Sequence, residues 1–227
     1  MIRVLGPPAG PLPRLMDALS GREPDTGPDR AAAPAPETWV MGPCGDISAV
    51  ESTMSRSMPP SSAARLLVLS LVGAHPDSPA ESLRRLWRLE ERARGTGLPV
   101  LTLRLGPLVG PRSPFWLKLR RRPRLPRGGR KLINPVVEAD AVETLVRALD
   151  GRVSWEGWYD VAGAEAVTLA ELAEWASTAD PVSAGPGAWE PPLDVIEAQR
   201  PCDSAPWQEH FGIDPTLVSS ACREWAG

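Results

Sequence analysis

The chain has 227 residues, enough to bury a full core as one domain or as one domain with a small appendage. Its net charge of −3 at pH 7 excludes proteins whose whole surface binds nucleic acid or an anionic membrane, so nucleic acid is not an expected partner. No apolar run is long enough for a membrane span, and four prolines interrupt residues 1–13, so we expect no membrane anchor, no signal peptide and a cytoplasmic location.

Short apolar segments and glycine turns alternate at the start of the chain. Residues 1–5 predict a first strand, which enters a turn from Gly6 to Gly10, and a brief helix follows over residues 14–19. Residues 21–36 contain four prolines, several charges and no alternation of apolar residues. This composition favours a mobile loop over a central strand.

Three further apolar segments predict strands of a parallel sheet. They cover residues 38–41, 65–72 and 100–105, and the second is apolar enough to be buried on both faces. A charged helix joins the last two strands. Ser78 is its predicted N-cap, and the helix ends at Gly95. Strand, helix and strand in this order form a βαβ unit.

Residues 112–131 form a basic segment with nine basic and no acidic side chains. The segment is predicted to be a long loop or a short irregular helix, and two interpretations of its charge are open. Either it clamps an anionic ligand, a substrate phosphate or single-stranded nucleic acid, with Trp116 as a stacking surface, or it is a variable loop whose arginines reflect the arginine-rich composition. The arginines of this candidate anion loop are Arg120, Arg121, Arg122 and Arg124.

The C-terminal half predicts a helix, a strand and a second capped helix. Asp140 is the expected cap of a helix that ends at Gly151, and residues 158–162 predict a strand. Thr168 and Glu171 have the spacing of a capping box, which places the start of the next helix.

The turns after the predicted strands locate a candidate ligand site. The carboxyl ends of parallel strands meet at one edge of a sheet, where open α/β folds bind their ligands, so these turns are expected to converge there. The four turns are residues 6–10, 42–45, 70–73 and 106–109. The predicted fold class is α/β with helices flanking a parallel sheet, and the expected ligand is a small molecule or a nucleotide.

Four segments of the chain also match the order of one known family. Residues 66–74 are a strand with a serine-bearing turn, and residues 97–111 are a strand with a Gly-Pro loop. Residues 135–141 lead into a later helix, and residues 159–172 combine a strand with Thr-Leu-Ala-Glu-Leu. Together they resemble the atypical and extended short-chain dehydrogenase/reductase group, which includes NmrA-like proteins and NAD-dependent epimerase/dehydratases.

The resemblance implies a Rossmann-like domain over residues 1–163, shortened by loss of the family's second and third strands, and a small substrate-side subdomain over residues 164–227. It implies NAD or NADP as the cofactor. Gly6 and Gly10 match two glycines of the dinucleotide fingerprint, whereas Pro13 stands where a third glycine is expected. The resemblance assigns cofactor binding to Gly6, Gly10, Leu12, Gly42, Ser70, Leu71, Arg104, Gly106, Pro107 and Leu108.

The same family uses a catalytic pair that this chain lacks. Its members transfer hydride with Tyr-x-x-x-Lys, in which the ammonium group lowers the pKa of the phenol. The single tyrosine, Tyr159, is followed four residues later by Gly163, and the only lysines, Lys118 and Lys131, lie in the basic segment. Ser70 stands where the family has a catalytic hydroxyl donor. It is either that donor or a turn residue.

Metal chemistry and carboxylate chemistry are not indicated. Cys44, Cys202 and Cys222 lack the spacing of a zinc site or of a disulfide framework, so no metal is expected. Glu90 and Glu91 are expected to be a solvated pair among the arginines of their helix. Two functions remain open: an NAD(P)-dependent oxidoreductase or epimerase with weakened or unusual catalysis, and a non-catalytic descendant that binds a nucleotide, a metabolite or a protein.

Overall fold

A five-stranded parallel sheet forms the centre of the fold. The computed structural model describes residues 2–5, 37–42, 64–178 and 193–225. The predicted mobile loop at 21–36 and the predicted helix at 14–19 lie outside these residues. The strands of the sheet are β1 (Ile2–Leu5), β2 (Glu37–Met41), β3 (Ala64–Leu71), β4 (Val100–Leu105) and β8 (Trp158–Val161), and they follow one another in the order β1-β2-β3-β4-β8.

Two short strand pairs and seven helices surround the sheet in the described part of the chain. Strand β5 (Leu108–Val109) pairs in parallel with β7 (Val136–Val137), and β6 (Leu132–Ile133) pairs antiparallel with β9 (Val167–Thr168). The helices are α1 (Glu81–Arg94), α2 (Pro114–Arg120), α3 (Glu138–Leu149), α4 (Leu169–Thr178), α5 (Leu193–Ala198), α6 (Ala205–Phe211) and α7 (Val218–Trp225). Among the described helices, none is both long and apolar enough to cross a membrane.

The two faces of the sheet are covered by different helices. Helix α1 buries Leu83, Leu86 and Leu89 at helical spacing, and it packs on β3 and β4. On the opposite face, Arg65 of β3 donates a hydrogen bond to the carbonyl of Leu149 at the end of α3, and α6 packs on β8. Strand β3 is therefore buried on both faces, as its continuous apolar sequence predicts.

A second hydrophobic core lies apart from the core of the sheet. It joins Phe115, Trp116 and Leu119 of α2 to residues of α4 and α7, among them Leu172 and Val218. This core contains residues from both sides of the expected boundary between 163 and 164. That boundary stays a prediction.

Strand β1 has one neighbour, β2, within the described residues. Loss of the family's second and third strands would leave β1 at the edge of the sheet in this way. The segment in which those strands would be sought, residues 6–36, lies outside the described part of the chain, so the loss stays a prediction.

Two of the three predicted helix N-caps are not the N-caps in the structure, and the third is confirmed. Helix α1 begins at Glu81 with Ala80 as its N-cap, and the hydroxyl of Ser78 does not cap it. Helix α3 begins at Glu138, so Asp140 lies inside its first turn and instead accepts hydrogen bonds from Thr216. The capping box before α4 is confirmed: the Thr168 hydroxyl accepts from the Glu171 backbone N–H at 3.1 Å, and the Glu171 carboxylate accepts from the Thr168 N–H at 2.8 Å.

Candidate functional site

The carboxyl ends of the central strands meet at one edge of the sheet, as the order of elements predicts. Because β1 to β4 and β8 are all parallel, Gly42 after β2, Ser70 in β3 and Gly106 after β4 lie along that edge. Gly42 and Gly106 are both buried. The predicted residues Gly6, Gly10 and Leu12 follow β1 and lie outside the described residues.

A row of polar side chains crosses the sheet close to this edge. The register pairs Ser70 of β3 with Arg104 of β4, and Arg104 with Asp160 of β8. Register partners on neighbouring parallel strands project to the same face, about 4.8 Å apart. Here that face is the one covered by α1, because Arg104 contacts Glu90 of α1. On three neighbouring strands, the row therefore places a hydroxyl, a guanidinium and a carboxyl group side by side.

Arg104 is held by a buried ion pair with Glu90. The two carboxylate oxygens of Glu90 accept from Nε of Arg104 at 3.0 and 3.2 Å, and Oε2 accepts from Nη2 at 2.7 Å. The Glu90 side chain is fully buried and that of Arg104 is 12% exposed. The guanidinium also lies over the ring of Trp158, 4.1 Å from its centroid. This pairing fixes the orientation of Arg104 and leaves Nη1 without a hydrogen bond to any described residue.

Asp160 has an unusual electrostatic environment. The pKa of its carboxyl is raised to about 6, chiefly by burial and in part by the nearby charge of Glu90, against the opposing effect of Arg104. Its buried Oδ1 atom has no hydrogen-bond partner among the described residues. The hydroxyls of Ser70 and Ser78 are likewise buried and without a partner there. Buried polar atoms of this kind are usually satisfied by water or by a ligand.

A pocket of about 440 Å³ opens beside this row. One wall is the turn after β3, and the opposite wall is the segment that follows α5. Asn134 anchors the second wall, since its Oδ1 accepts from the Cys202 backbone N–H at 3.4 Å and its Nδ2 donates to the Gly163 carbonyl at 3.2 Å. The lining residues are Val72, Gly73, Ala74, His75, Asp77, Ser78, Pro79, Arg104, Asp160, Ala198, Arg200, Pro201 and Cys202.

The lining groups determine what chemistry the pocket supports. Burial and the neighbouring carboxylates of Asp160 and Asp203 raise the pKa of the Cys202 thiol to about 12, so this cysteine is not an activated nucleophile. No cluster of three or more histidine, cysteine or acidic side chains suited to a metal ion occurs in the described residues. The arrangement therefore supports ligand binding by Arg104 and proton exchange at Asp160.

The Gly-Pro loop predicted to contact a cofactor is tightly packed by protein. A Cβ on Gly106 would lie 2.7 Å from the carbonyl oxygen of Asn134, and Pro107 is buried. Leu108 belongs to β5 and pairs with β7, while Leu71 is buried in the core of the sheet. These residues lie near the predicted edge, but in the described structure their neighbours are other parts of the chain. Their assignment to cofactor binding stays a prediction.

The structure places Trp116 differently from the expected stacking surface. Its side chain is completely buried in the second core, where its ring meets that of Trp225 edge to face with centroids 5.2 Å apart. Phe115, Trp116 and Leu119 form the buried face of α2, which Ser113 caps by accepting from the Trp116 N–H. Arg121, Arg122 and Arg124 are exposed and Arg120 is half-buried, so these arginines remain available to an anionic ligand.

The tyrosine and the carboxyl row occupy different faces of the sheet. Tyr159 stacks on His210 with centroids 4.3 Å apart, and it lies next to Asp160 in β8, so its side chain projects away from the α1 face. On α1 itself, Ser82 and Leu86 stand four residues apart where the family's tyrosine and lysine are sought, and Leu86 is buried in the core. The described geometry does not assemble an alternative tyrosine and lysine pair.

Three polar residues near the pocket, Glu90, Asp160 and Ser78, were not predicted as site residues from the sequence. Glu90 is fully buried, so the expectation of a solvated Glu90 and Glu91 pair is wrong for Glu90. The helical spacing contained the signal, because Glu90 follows Leu83 and Leu86 on the inward face of α1. Asp160 and Ser78 lacked a comparable signal, since only strand register and the actual start of α1 bring them to the pocket.

Comparison with known proteins identifies solved structures that have a similar fold. No protein-family model matches the chain, and no curated protein matches it. The solved structure of MoeE5 in complex with UDP-glucuronic acid and NAD is 13% identical, with a TM-score of 0.65 over 99% of this chain and 96% of that chain. UDP-glucose 4-epimerase from Thermotoga maritima, in complex with UDP-glucose, is 12% identical, with a TM-score of 0.63 over 99% and 96%.

A further match is dTDP-glucose 4,6-dehydratase from Bacillus anthracis in complex with NAD. It is 12% identical, with a TM-score of 0.57 over 83% of this chain and 71% of that chain. This chain has the fold of these enzymes. The predicted α/β class, the Rossmann-like parallel sheet and the resemblance of the fold to epimerases and dehydratases are thereby confirmed.

Proposed function

We propose that this chain binds an NAD-type dinucleotide at the carboxyl edge of its parallel sheet. The observation that carries the proposal is the common edge at which β1, β2, β3 and β4 all end. Structures with the same fold are complexes with NAD, which supports the choice of ligand. The residues that would hold the dinucleotide are Gly6, Gly10 and Leu12 after β1, Gly42 after β2, and Ser70 with Leu71 at the end of β3.

The residues near the edge fit such a ligand in part. The buried, unpartnered hydroxyl of Ser70 is a polar group that a bound ligand would satisfy, and buried Gly42 carries no side chain that would occupy the edge. When bound, the dinucleotide supplies a hydride acceptor or donor. Hydride transfer assisted by a tyrosine and lysine pair is not part of the proposal, because the chain contains one tyrosine, and Tyr159 lies on the other face of the sheet.

Binding is expected to be weaker than in a working dehydrogenase. Pro13 replaces the third glycine, and the ribose-reading strand of the family is not apparent in the sequence. Each missing buried polar contact costs about 1–3 kcal/mol, enough to move a micromolar site towards a millimolar one. The proposed function is thus a dinucleotide-binding protein with weakened or unusual catalysis.

Calorimetric titration with NADH and NADPH tests the proposal. We expect saturable binding between about 0.1 and a few mM, and the variant Gly10→Val should abolish it. Gly95→Ala is the matched control, because Gly95 follows α1 with an ordinary helical φ of −68° and a Cβ there would meet only carbonyl oxygens at 3.5 Å. Absence of saturation for both nucleotides, or equal binding by Gly10→Val, would refute the proposal.

A second measurement tests the catalytic part. A stopped-flow scan of carbonyl substrates with NADH should show no rapid turnover. Micromolar affinity together with rapid hydride transfer would contradict weakened catalysis, and it would require a proton donor other than the tyrosine and lysine pair.

A further inference from the structure

We infer that the pocket beside Arg104 and Asp160 binds a small organic monocarboxylate, whose carboxylate group lies between these two side chains. This ligand is different from the dinucleotide of the proposed function, and its site rests on β3, β4, β8 and the segment after α5. The inference can therefore be tested independently of dinucleotide binding.

The floor of the pocket offers a paired donor and acceptor with no protein partner. Nη1 of Arg104 makes no hydrogen bond to a described residue, and the buried Oδ1 of Asp160 has none either. Register places the two residues side by side on neighbouring strands. A planar carboxylate has two oxygens, one able to accept from the guanidinium and the other from a protonated Asp160 carboxyl.

The charges around the floor favour a single negative charge. Glu90 neutralises Arg104, so the pair contributes no net charge, while Arg200 at the rim is exposed and makes no ion pair with the described residues. With Asp160 neutral, Arg200 and the exposed Asp77 of the opposite wall offset each other, so the lining carries no excess charge and leaves room for at most one anionic group. A doubly charged phosphate would face too few unpaired donors to offset the cost of its desolvation.

The walls favour an organic ligand over an inorganic anion. Apolar side chains line both sides of the pocket, and its volume of about 440 Å³ is within the range of small-molecule sites. Ser78 also lines this space, and its hydroxyl, which does not cap α1, is buried with no described partner. The apolar lining residues are Val72, Ala74, Pro79, Ala198 and Pro201.

Protonation of Asp160 links binding to pH. With the carboxyl ionised, two carboxylates would repel each other, whereas the protonated form donates a hydrogen bond to the ligand. Because burial holds the pKa of Asp160 at about 6, the protonated fraction falls steeply between pH 5.5 and 7.5. Other titratable and charged groups around Asp160 are Glu90 of α1, Arg104 of β4, Arg200 and Cys202 of one wall, and His75 and Asp77 of the other.

The test is titration with 3-phenylpropionate, with 3-phenylpropionamide as the neutral control and no dinucleotide present. The acid should bind roughly 20-fold more tightly at pH 5.5 than at 7.5, the ratio of protonated Asp160 fractions, and the amide should not bind measurably. Asp160→Asn should bind the acid with the same affinity at both pH values, near the wild-type affinity at pH 5.5. Equal affinity at both pH values for the wild-type protein, or equal binding of acid and amide, would overturn the inference.

Three further variants separate this site from other sources of pH dependence and of charge. A histidine also changes charge between pH 5 and 8, so His75→Gln must retain the pH dependence. Arg200→Gln should weaken binding of the acid about 5-fold or more, whereas Arg88→Gln, an exposed arginine of α1 outside the pocket, should leave it unchanged. Loss of the pH dependence in His75→Gln, or equal effects of the two arginine variants, would contradict the assignment.

Discussion

Gly106 belongs to a turn that sequence analysis assigns to cofactor binding, yet its packing alone explains why glycine stands there. A Cβ at position 106 would lie 2.7 Å from the carbonyl oxygen of Asn134 and 3.4 Å from the carbonyl oxygen of Val161. Both neighbours are backbone atoms, so they have little freedom to move. Any side chain introduced at position 106 would therefore push β4 away from the segment that carries β7.

Replacing Gly106 by alanine should lower the free energy of unfolding by about 1–3 kcal/mol, because overpacking forces the backbone apart. The loss should appear in chemical denaturation without any dinucleotide. Gly95→Ala is again the control and should stay within about 0.5 kcal/mol of the wild-type protein. Unchanged stability of Gly106→Ala, with loss of dinucleotide binding, would instead favour a direct role at the cofactor.

The pair of Glu90 and Arg104 is the other residue-scale feature with a measurable consequence. Glu90 is fully buried, and removing it would leave the largely buried guanidinium of Arg104 without the carboxylate to which it is hydrogen-bonded. Breaking one partner of a buried ion pair is usually far more costly than the net worth of the pair.

Glu90→Ala should destabilise the protein by about 3–5 kcal/mol. The neighbouring Glu91 is the matched control, since it is 44% exposed and pairs with Arg94 on the surface of α1. Glu91→Ala should change the free energy of unfolding by less than about 1 kcal/mol. Similar losses for the two variants, measured by urea denaturation, would show that the buried pair has no special role.

At the scale of elements, the basic segment divides into a packed part and an exposed part. Helix α2 buries Phe115, Trp116 and Leu119 in the second core, while the arginines that follow it project to the surface. Arg122 and Arg127 adopt positive φ values of 50° and 48°, a backbone region that side chains seldom occupy. The segment is thus anchored at one end and exposed at the other.

Replacing Arg120, Arg121, Arg122 and Arg124 together by alanine should leave the melting temperature within a few degrees of the wild-type value, because exposed charges contribute little to stability. Binding of an anionic ligand such as NADPH should weaken. A large fall in melting temperature would show that the arginine side chains contribute to the folded core. Undiminished binding would show that the segment does not contact the anionic ligand.

Elements were predictable from sequence where one physical signal dominated. Strand β3 follows from its unbroken apolar run, and the start of α4 follows from Thr168 and Glu171, whose side chains satisfy each other's backbone groups. Ser78 and Asp140 are residue types that commonly cap helices, but the Ser78 hydroxyl has no described partner and Asp140 accepts hydrogen bonds from Thr216. At Asp140, a tertiary partner engages the side chain that local preference assigns to a helix cap.

The sequence predicts at which edge of the sheet the site lies, but it does not predict which side chains form the site. Glycine turns after parallel strands locate the carboxyl edge without coordinates. The polar row depends on the register of β3, β4 and β8, and the register joins residues as far apart as Ser70 and Asp160. Residues 72 to 99 and 106 to 157 separate these strands, so no local pattern could reveal that the row exists.

At the scale of the whole molecule, the chain combines a parallel sheet of the epimerase and dehydratase type with a second core built by α2, α4 and α7. The pocket lies where the segment after α5, leading towards α6, crosses the edge of the sheet. The edge proposed to bind a dinucleotide and the pocket proposed to bind a monocarboxylate thus lie side by side, while the tyrosine of the chain lies on the opposite face.

The crystal structure of the complex with NAD⁺ is the measurement that tests the central claim most directly. The account predicts that the dinucleotide lies across the carboxyl ends of β1 to β3, with its pyrophosphate next to the turn after β1 and part of the ligand beside Gly42 and Ser70. A dinucleotide bound at another surface, or crystals grown at millimolar NAD⁺ in which this edge holds no ligand, would contradict it.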